Sequence, residues 1–479
     1  MPVASYADPN KIRYAMRFVR EDLIDRTYFY LPFNIPEGTK RIEVAYRYSP
    51  GDQGDPNIID IGAFGPGPTG LFNMEHFRGW SGSFRNRFYI SQDDSTPGYL
   101  RGRVESGIWK VILGLYKISK TGCDCEVEIS PLPEFEERQT AGSGHECFSG
   151  VASPREIGWS RGDLHVHSVH SDGNNSILEL ANEARRRGLN YVAITDHNTI
   201  AQRCEINEMA AHDLLMFSGQ EITTYHGHAN VWGNRNCLEF RCQSESDVSL
   251  LLGRVHQEGL VFSINHPNDI GPNWEFKALR GFDCLEVWCG LWPRLNFQSL
   301  EWWDMLLNEG NRVVGVGGSD LHEIEDSSST DGYGVGSPTT WIHADVLTSD
   351  LLTSSIARGN VFISRDPEGP MLNLEAWSPS NDKHAVMGRE LVSRKHEPIF
   401  LRLNVRSAEG GFARLVVDGR GSSIARIDSG DFTKVWQLES GTNRYCRMEI
   451  LSKDSDPDSN DKMDQEITAL SNPIYIKRV

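Results

Sequence analysis

The stretch RGDLHVHSVHSDG (161–173) contains two histidines placed where they can act together. The segment HVH (165–167) is expected to end a β-strand. Residues i and i+2 of a strand point to the same face, so the two imidazoles converge on one point. Asp172 follows in the loop beyond the strand. This spacing predicts a metal site at the end of the strand, because imidazole and carboxylate are common metal ligands.

The same arrangement recurs at further predicted strand ends along the chain. Working outward from 161–173, the candidate ligands and their neighbours are Asp196, His197 and Asn198 in YVAITDHNT (191–199), Glu221, His226 and His228 in FSGQEITTYHGH (217–228), His266 in SINHPND (263–269), and Asp320 and His322 in VGVGGSDLHE (314–323). A single buried or surface histidine usually has no chemical role. Five strand ends that each carry imidazole or carboxylate favour one shared site.

Residues 156–370 alternate short apolar strands with amphipathic helices. SILELANEARRRG (176–188) and NFQSLEWWDMLLNEG (296–310) are two of the predicted helices. Repeated β-α units predict an α/β fold built on a parallel sheet or barrel. The polar residues come directly after the strands, at the carboxyl-terminal edge where such barrels place their chemistry.

The flanking regions have the alternating pattern of antiparallel sheets. RIEVAYRY (41–48) alternates apolar and polar residues, and residues 1–150 are therefore expected to form a β-sandwich-like domain. Residues 131–150 are expected to be a linker. LRLNVRS (401–407) marks a second β-rich domain over residues 371–479.

Composition limits the partners of the chain. Lys and Arg number 48 against 66 Asp and Glu, so the net charge is −18, which disfavours nucleic-acid binding. We expect no membrane span and no signal peptide. Nine scattered cysteines without a CxxC pair predict a reduced, cytoplasmic protein. A small-molecule substrate is expected, and a homo-oligomer is left open.

The ligand types indicate which metals would bind. Imidazole with carboxylate suits Zn²⁺, Mn²⁺ or Fe²⁺. The candidates are too numerous for one ion, so two or three divalent ions are expected. A shared carboxylate such as Glu221 could then bridge two of them.

The motifs DLHVHS, TDHNT and GGSDLH resemble those of the PHP (polymerase and histidinol phosphatase) superfamily over residues 161–365. The resemblance implies a distorted (β/α)7 barrel with a multinuclear metal site. Four further segments are similar to CehA/McbA-type metallohydrolases, a group named after carbaryl hydrolases. These segments are FRGWSGSFRNRFYI (77–90), TPGYL (96–100), GHANVWG (227–233) and FISRDPEGP (362–370).

The resemblance also implies a ligand set for each ion. The sets are His165, His167, Glu221 and Asp320 for one ion, Glu221, His228 and His266 for a second, and Asp172, His197 and His322 for a third. The assignment of His228 competes with His226, which is the alternative pocket residue.

The expected reaction is hydrolysis by a hydroxide held between two ions. Glu221 would bridge the ions, and Asp320 or His322 would pass a proton to the leaving group. A small phosphoester is the favoured substrate. Carbamate or carboxylic ester hydrolysis is the first alternative, and a metal-stabilised scaffold without catalysis is the second. The residues expected to contact substrate are His226, Asn198, Arg294 and Arg365.

Overall fold

A computed structural model describes residues 3–8, 11–133, 158–209, 213–324, 333–344, 348–379, 381–438, 441, 443–457, 459 and 465–479. Most of the predicted linker of 131–150, with the predicted boundary between the first two parts of the chain, lies outside the described residues. Among the described helices, none has the length and apolarity needed to cross a lipid bilayer.

The amino-terminal region is made of antiparallel strands. Its elements are β1 (Val3–Asp8), β2 (Lys11–Phe18), α1 (Asp22–Asp25), β3 (Tyr28–Ile35), β4 (Arg41–Tyr48), β5 (Gly51–Asp52), β6 (Asp55–Pro56), β7 (Ile58–Phe64), β8 (Phe77–Gly82), β9 (Arg87–Ser91), β10 (Gly107–Lys117) and β11 (Cys123–Leu132). The strands form two main sheets, in the orders β1-β2-β11-β4-β9 and β3-β10-β7-β8. Apolar side chains from both sheets, including Val44 and Trp109, share one core.

The central region contains most of the helices. Its elements are β12 (Trp159–Val166), α2 (Ile177–Arg186), β13 (Tyr191–Ile194), α3 (Gln202–Glu208), β14 (Leu215–Thr224), β15 (Gly227–Trp232), α4 (Glu245–Gln257), β16 (Phe262–Ile264), β17 (Cys284–Cys289), α5 (Asn296–Asn308), β18 (Val314–Gly318), β19 (Thr339–His343), α6 (Ser349–Ala357) and β20 (Val361–Ser364). Helix α2 begins where the sequence predicts, because Ser176 and Glu179 form a reciprocal capping box.

The central sheet is mixed, whereas the sequence predicted regular β-α alternation. Its order is β18-β17-β16-β15-β14-β13-β12-β19-β20. Strands β12, β13 and β14 are parallel, but β14 and β15 form an antiparallel hairpin whose turn holds only residues 225–226. Gly227 permits this turn, with a φ of 121°. The finding is therefore a mixed α/β fold with a large central sheet and few helices.

The end of β18 returns to β12. The Asp320 amide donates to the His165 carbonyl (2.8 Å), and the His167 amide donates to the Leu321 carbonyl (2.9 Å). These bonds bring the two predicted metal motifs side by side, although about 150 residues separate them in the chain.

The carboxyl-terminal strands extend the central sheet. They are β21 (Met371–Ser378), β22 (Asn381–Val386), β23 (Glu390–Ser393), β24 (Ile399–Arg406), β25 (Phe412–Val417), β26 (Arg420–Arg426), β27 (Asp431–Leu438), β28 (Tyr445–Leu451), β29 (Ile467–Ser471) and β30 (Ile474–Arg478). Strand β29 pairs with β20, and the sheet continues through β28 and β25 to β26. A second sheet, β22-β21-β24-β27, contributes to a core with these strands. The sheet is thus continuous across residue 370.

Candidate metal centre

Glu221 lies at the centre of a group of imidazoles. It is on β14 and its side chain has no exposed surface. Five histidine nitrogens approach its two carboxylate oxygens: Oε1 lies 3.2 Å from His228 Nδ1, 3.3 Å from His165 Nε2 and 3.3 Å from His266 Nε2, and Oε2 lies 2.8 Å from His197 Nδ1 and 3.4 Å from His167 Nε2. One carboxylate therefore touches ligand candidates from four different strand ends.

Two further carboxylates extend the cluster on either side. Asp320 Oδ1 lies 3.3 Å from His165 Nε2 and 3.1 Å from His167 Nε2. Asp172 Oδ1 lies 3.5 Å from His197 Nε2 and 3.3 Å from His322 Nε2. All nine residues expected as metal ligands thus come together.

The ligand atoms fall into four groups, each with its atoms within 4.8 Å of one another. The groups are His167, Asp172, His197 and His322; His165, Glu221 and His266; His165, His167 and Asp320; and His197, Glu221 and His228. The first group contains the set expected for a third ion and adds His167. The others divide the remaining ligands differently from the expected sets, with His197 also facing Glu221.

Backbone strain accompanies the strand ends of the cluster. Asn198, His266 and Asp320 have positive φ angles of 54°, 27° and 54°. Non-glycine residues rarely adopt this region, at a cost of about 1–3 kcal/mol each. The surrounding structure holds them there, which turns the chain sharply at the points where ligands must face inward.

Hydrogen bonds from two residues outside the ligand set hold His165, His266 and Glu221 in place. Glu286 Oε1 lies 2.9 Å from His165 Nδ1, and Glu286 Oε2 accepts the His266 backbone N–H at 2.9 Å. Asn265 Nδ2 donates to Glu221 Oε1 at 2.9 Å. Sequence reasoning missed both residues. The available signal was the carboxylate of Glu286 between apolar residues in the predicted strand FDCLEVW (282–288).

Two buried aspartates shape the loops that carry the ligands. Asp163 accepts the backbone N–H groups of Ser319 (3.0 Å) and Gly336 (2.6 Å). Asp196 accepts the Ser168 N–H (2.8 Å) and the Ser171 hydroxyl (2.7 Å). These contacts fold the segments after β12 and β18 around the cluster.

The cluster favours ionised carboxylates. Burial opposes ionisation of Glu221, but His165, His197 and His228 outweigh it and hold the pKa of Glu221 well below its usual range. The pKa values of Asp172 and Asp320 are lowered against burial in the same way. Burial, with His322 and His197 nearby, lowers the pKa of His167 to about 4. Negative charge is therefore concentrated in the cluster, where it would attract divalent cations.

The donor set fits divalent cations. The Nε2 atoms of His165 and His167 lie only 3.2 Å apart. Among the described residues, Glu221 Oε2 and Asp172 Oδ1 are shielded from solvent without a well-formed hydrogen bond. Buried polar atoms normally have partners, and a cation would satisfy these. Nitrogen and carboxylate ligands together suit first-row divalent metals.

Two residues expected to contact substrate are engaged in other contacts. The amide of Asn198 donates to the Thr223 carbonyl (3.0 Å) and accepts the Thr223 N–H (2.8 Å). Asn198 therefore connects the segment after β13 to β14, and its expected substrate contact stays a prediction. His226 pairs with Glu275 at 2.7 Å on the surface, whereas His228 reaches Glu221, so geometry favours His228 over His226 as a ligand.

The two predicted arginines differ in their surroundings. Arg294 is exposed beside β17, with its guanidinium carbon 5.1 Å from the centre of the Tyr333 ring. Arg365 contacts Asp366 (3.1 Å), Glu466 (3.9 Å) and the Thr468 carbonyl. The two carboxylates pair with the Arg365 side chain and lie outside the cluster, whereas the Thr468 carbonyl accepts its backbone N–H; the expected role of Arg365 in substrate binding stays a prediction.

Comparison with known proteins gives matches to the central region. Residues 163–276 match the family model of the PHP domain. The DNA polymerase/3'-5' exonuclease PolX of Bacillus subtilis is 42% identical over 66 residues, which are 14% of this chain and 11% of that protein. A 5'-3' exoribonuclease of Haemophilus influenzae is 32% identical over 127 residues, which are 26% of this chain and 37% of that protein. The chain thus spans a minor part of both relatives.

Among solved structures, one match is a two-domain protein from Bacteroides vulgatus that contains a predicted PHP-like metal-dependent phosphoesterase. It is 17% identical, with a TM-score of 0.36, and the match covers 64% of this chain and 95% of that chain. The PHP domain match and the His/Asp/Glu cluster lie in the same central region, and the cluster fits divalent metal ions.

Proposed function

We propose that the protein is a metal-dependent phosphoesterase that hydrolyses a small phosphoester. The observation that carries this proposal is Glu221, a buried carboxylate whose two oxygens face imidazoles from four strand ends. A carboxylate in this position can bridge two ions, as hydrolytic sites with two metals require. Zn²⁺, Mn²⁺ and Fe²⁺ are the proposed ions, two or three per chain.

The burial of the ligands indicates where substrate enters. His165, His167 and Glu221 have no exposed surface, so their task is to hold and orient. Asp172 and His322 are each 37% exposed, and Asp320 is 23% exposed. When bound, the ions lower the pKa of water and offset the charge of a phosphoryl group. The phosphoester therefore approaches from the side of Asp172, Asp320 and His322.

Proton transfer to the leaving group is assigned to Asp320 or His322. The Asp320 carboxylate borders both the buried imidazoles and solvent. His322 is oriented by the hydrogen bond from its Nδ1 to the Asp320 carbonyl (2.9 Å), which leaves Nε2 facing Asp172 and the open side. Both groups thus stand where a leaving oxygen must collect its proton.

A cation near the open side favours an anionic substrate over a neutral ester. Arg294 packs over Tyr333, whose hydroxyl donates to the carbonyls of Ser319 (3.0 Å) and Asp320 (3.3 Å). Within the described part of the chain, no carboxylate forms an ion pair with Arg294. A guanidinium in this state is suited to bind phosphate oxygens in a bidentate manner.

The finer assignments of fold and branch are also proposals. We place the chain in the CehA/McbA-type branch, with a distorted (β/α)7 barrel over residues 156–370. β-Sandwich-like domains over 1–150 and 371–479 would flank it. The contacts between the end of β18 and β12 support the barrel, because these two strands are not neighbours in the strand order and their approach closes the sheet.

A panel of chromogenic esters tests the proposed substrate. p-Nitrophenyl phosphate, bis-p-nitrophenyl phosphate, naphthyl acetate and a naphthyl carbamate would be assayed with Mn²⁺, Zn²⁺ or Fe²⁺. We expect metal-dependent turnover of a phosphate ester. Turnover of the uncharged esters alone would favour the carbaryl-hydrolase type of activity and contradict the proposal. Metal binding without hydrolysis of any ester would indicate a non-catalytic scaffold.

A further inference from the structure

Two amino-terminal segments that resemble CehA/McbA-type metallohydrolases contain none of the candidate metal ligands. They are residues 77–90 and 96–100, on and next to β8 and β9. In the structure both lie against loop 168–172, which follows β12 and carries Asp172. The metal ligands come from the central region, yet this loop is contacted by the amino-terminal region.

Arg85 holds the outer side of the loop. Its Nη1 donates to the Ser171 carbonyl at 2.8 Å, and its Nη2 donates to the Val169 carbonyl at 2.5 Å. The planar guanidinium thus binds two carbonyls of one turn, directly before Asp172. Its positive charge also interacts with the carboxylates of Asp172 and Asp196.

Gly98 makes contacts with two of the metal motifs. Its N–H donates to His170 Nδ1 at 3.2 Å, and its carbonyl accepts the Thr199 hydroxyl at 2.9 Å. Its φ is 92°, and a Cβ at this position would lie 2.5 Å from the His170 carbonyl oxygen. Only glycine allows this approach without displacement. Gly98 therefore ties loop 168–172 to the segment that follows His197.

The contacts on the two sides of the loop have different origins. The inner side is held by Asp196, which accepts from Ser168 and Ser171. The carbonyls of Val169 and Ser171 on the outer side are held by Arg85, which lies between β8 and β9 of the amino-terminal region. Asp172 is the ligand carried by this loop, and it faces His197 and His322. A displacement of the loop would thus withdraw Asp172 while leaving Glu221 and its imidazoles in place.

We propose that Arg85 and Gly98 are positioning residues of the metal centre, through which the amino-terminal sheets hold loop 168–172. They would complete the ligand group of His167, Asp172, His197 and His322 and so determine whether it takes up its ion. This inference rests on the proposed function, because it requires that the cluster binds metal. It gives segments 77–90 and 96–100, which contain no candidate metal ligand, a role in the metal centre.

The test compares bound metal in matched arginine variants. Arg85→Met removes the guanidinium, and Arg87→Met is the control, since Arg87 is exposed on β9 only two residues away. Metal per chain would be measured by elemental mass spectrometry after equilibration at graded Mn²⁺ concentrations. Asp172→Asn provides the reference for loss of this ligand group. The thermal midpoint of each metal-free variant would be recorded in parallel.

We expect Arg85→Met to bind the ion of the Asp172 ligand group about 10–100-fold less tightly, as loss of a ligand-orienting partner does elsewhere. The other ions should bind as in the wild type. Asp172→Asn should show the same selective loss, and Arg87→Met should show none. Arg85→Lys, which keeps the charge but not the planar pair of donors, should be intermediate; it also serves as the test if Arg85→Met does not fold.

Three results would overturn the inference. Wild-type metal affinities in Arg85→Met would show that Arg85 is not needed to position loop 168–172. Parallel loss of all ions would show a general structural effect. A wild-type chain that binds no metal would overturn the proposed function together with this inference, whereas metal in the wild type with no change in Arg85→Met would overturn the inference alone.

Discussion

At the scale of single residues, the described cluster places three carboxylates among six imidazoles. The pKa values of Glu221, Asp172 and Asp320 are lowered by neighbouring histidines, and Glu221 has no exposed surface at all. Buried negative charge is costly unless a cation compensates it. The metal ions would therefore contribute to stability as well as to chemistry.

Glu221→Gln should test the contribution of the metal ions to the chemistry. The amide has the same shape, but it cannot bridge two cations. We expect a loss of metal and a fall in phosphoesterase kcat of about 10³-fold, because the lost metal charge is worth several kcal/mol in the transition state. Metal analysis and steady-state kinetics measure both. Glu258→Gln, at an exposed position, is the control. Full activity in Glu221→Gln would rule out the bridging role.

Glu286→Gln should weaken metal binding without removing a ligand. The change leaves His165 Nδ1 without its charged partner, and such losses typically reduce affinity about 10–100-fold. Isothermal titration with Mn²⁺ would show it. An unchanged dissociation constant would mean that Glu286 does not orient His165.

The sequence predicted which candidate ligands come together, but it did not predict the contacts that surround them. The HxH and DH pairs reveal ligands because strand periodicity alone aims them at one point. The bonds of the Asn198 amide to the backbone of Thr223 were not foreseen, because no local pattern encodes a contact between two strands. Glu286 was missed for the same reason, since its partners lie 20 and 121 residues away along the chain.

At the scale of elements, the hairpin of β14 and β15 connects the metal cluster to the amino-terminal sheets. Glu221 and His228 lie on its two strands. At its turn, the Tyr225 hydroxyl donates to Asp60 Oδ2 on β7 at 2.7 Å, and its ring stacks on Tyr28 at 5.5 Å. The hairpin that carries two candidate ligands is thus held by residues of the amino-terminal sheets.

This tie predicts a pH dependence of stability. Burial raises the pKa of Asp60 to about 6, against the hydrogen bond from Tyr225. An acid whose pKa is raised on folding is harder to ionise in the folded state, so its contribution to stability falls as pH rises from its ordinary pKa near 4 to about 6. Asp60→Asn should remove this loss.

The difference in unfolding free energy between Asp60→Asn and wild type should therefore shift in favour of Asn, by about 3 kcal/mol at most, between pH 4 and pH 7. Urea unfolding at both pH values measures the shift, and taking the difference cancels the contributions of the other carboxylates. A difference independent of pH would contradict the raised pKa.

The elements themselves were only partly predictable. Buried strands such as Tyr191–Ile194 and the capped helix α2 have local signals, and they occur where the sequence predicts them. The β14–β15 hairpin lacks a usual turn signal such as Asn-Gly, because its turn residues are Tyr225 and His226. The chain was therefore expected to continue with parallel strands.

At the scale of the whole molecule, the carboxyl-terminal strands are joined to the central region by sheet pairing and by buried charge. Arg447 on β28 donates to Asp304 of α5 through Nε (3.0 Å) and Nη2 (2.6 Å), and to Glu449 through Nη1 (2.7 Å). The sequence pattern suggested a boundary at 370. It could not reveal that β29 would pair with β20, because strand pairing over such a distance has no local signature.

Arg447→Met should test this connection. Removing a buried partner leaves Asp304 and Glu449 partly uncompensated, which is expected to cost about 3–5 kcal/mol. Urea unfolding measures the loss, and Arg420→Met, at an exposed position, should change little. A destabilisation below about 1 kcal/mol would show that the buried charges do not couple the two regions.

Anomalous X-ray diffraction from crystals grown with Mn²⁺ tests the metal centre most directly. The proposed metal centre predicts two or three anomalous peaks among the nine candidate ligands, with Glu221 adjacent to at least two of them. A cluster without any peak at saturating Mn²⁺, or a single ion that Glu221 does not contact, would contradict it.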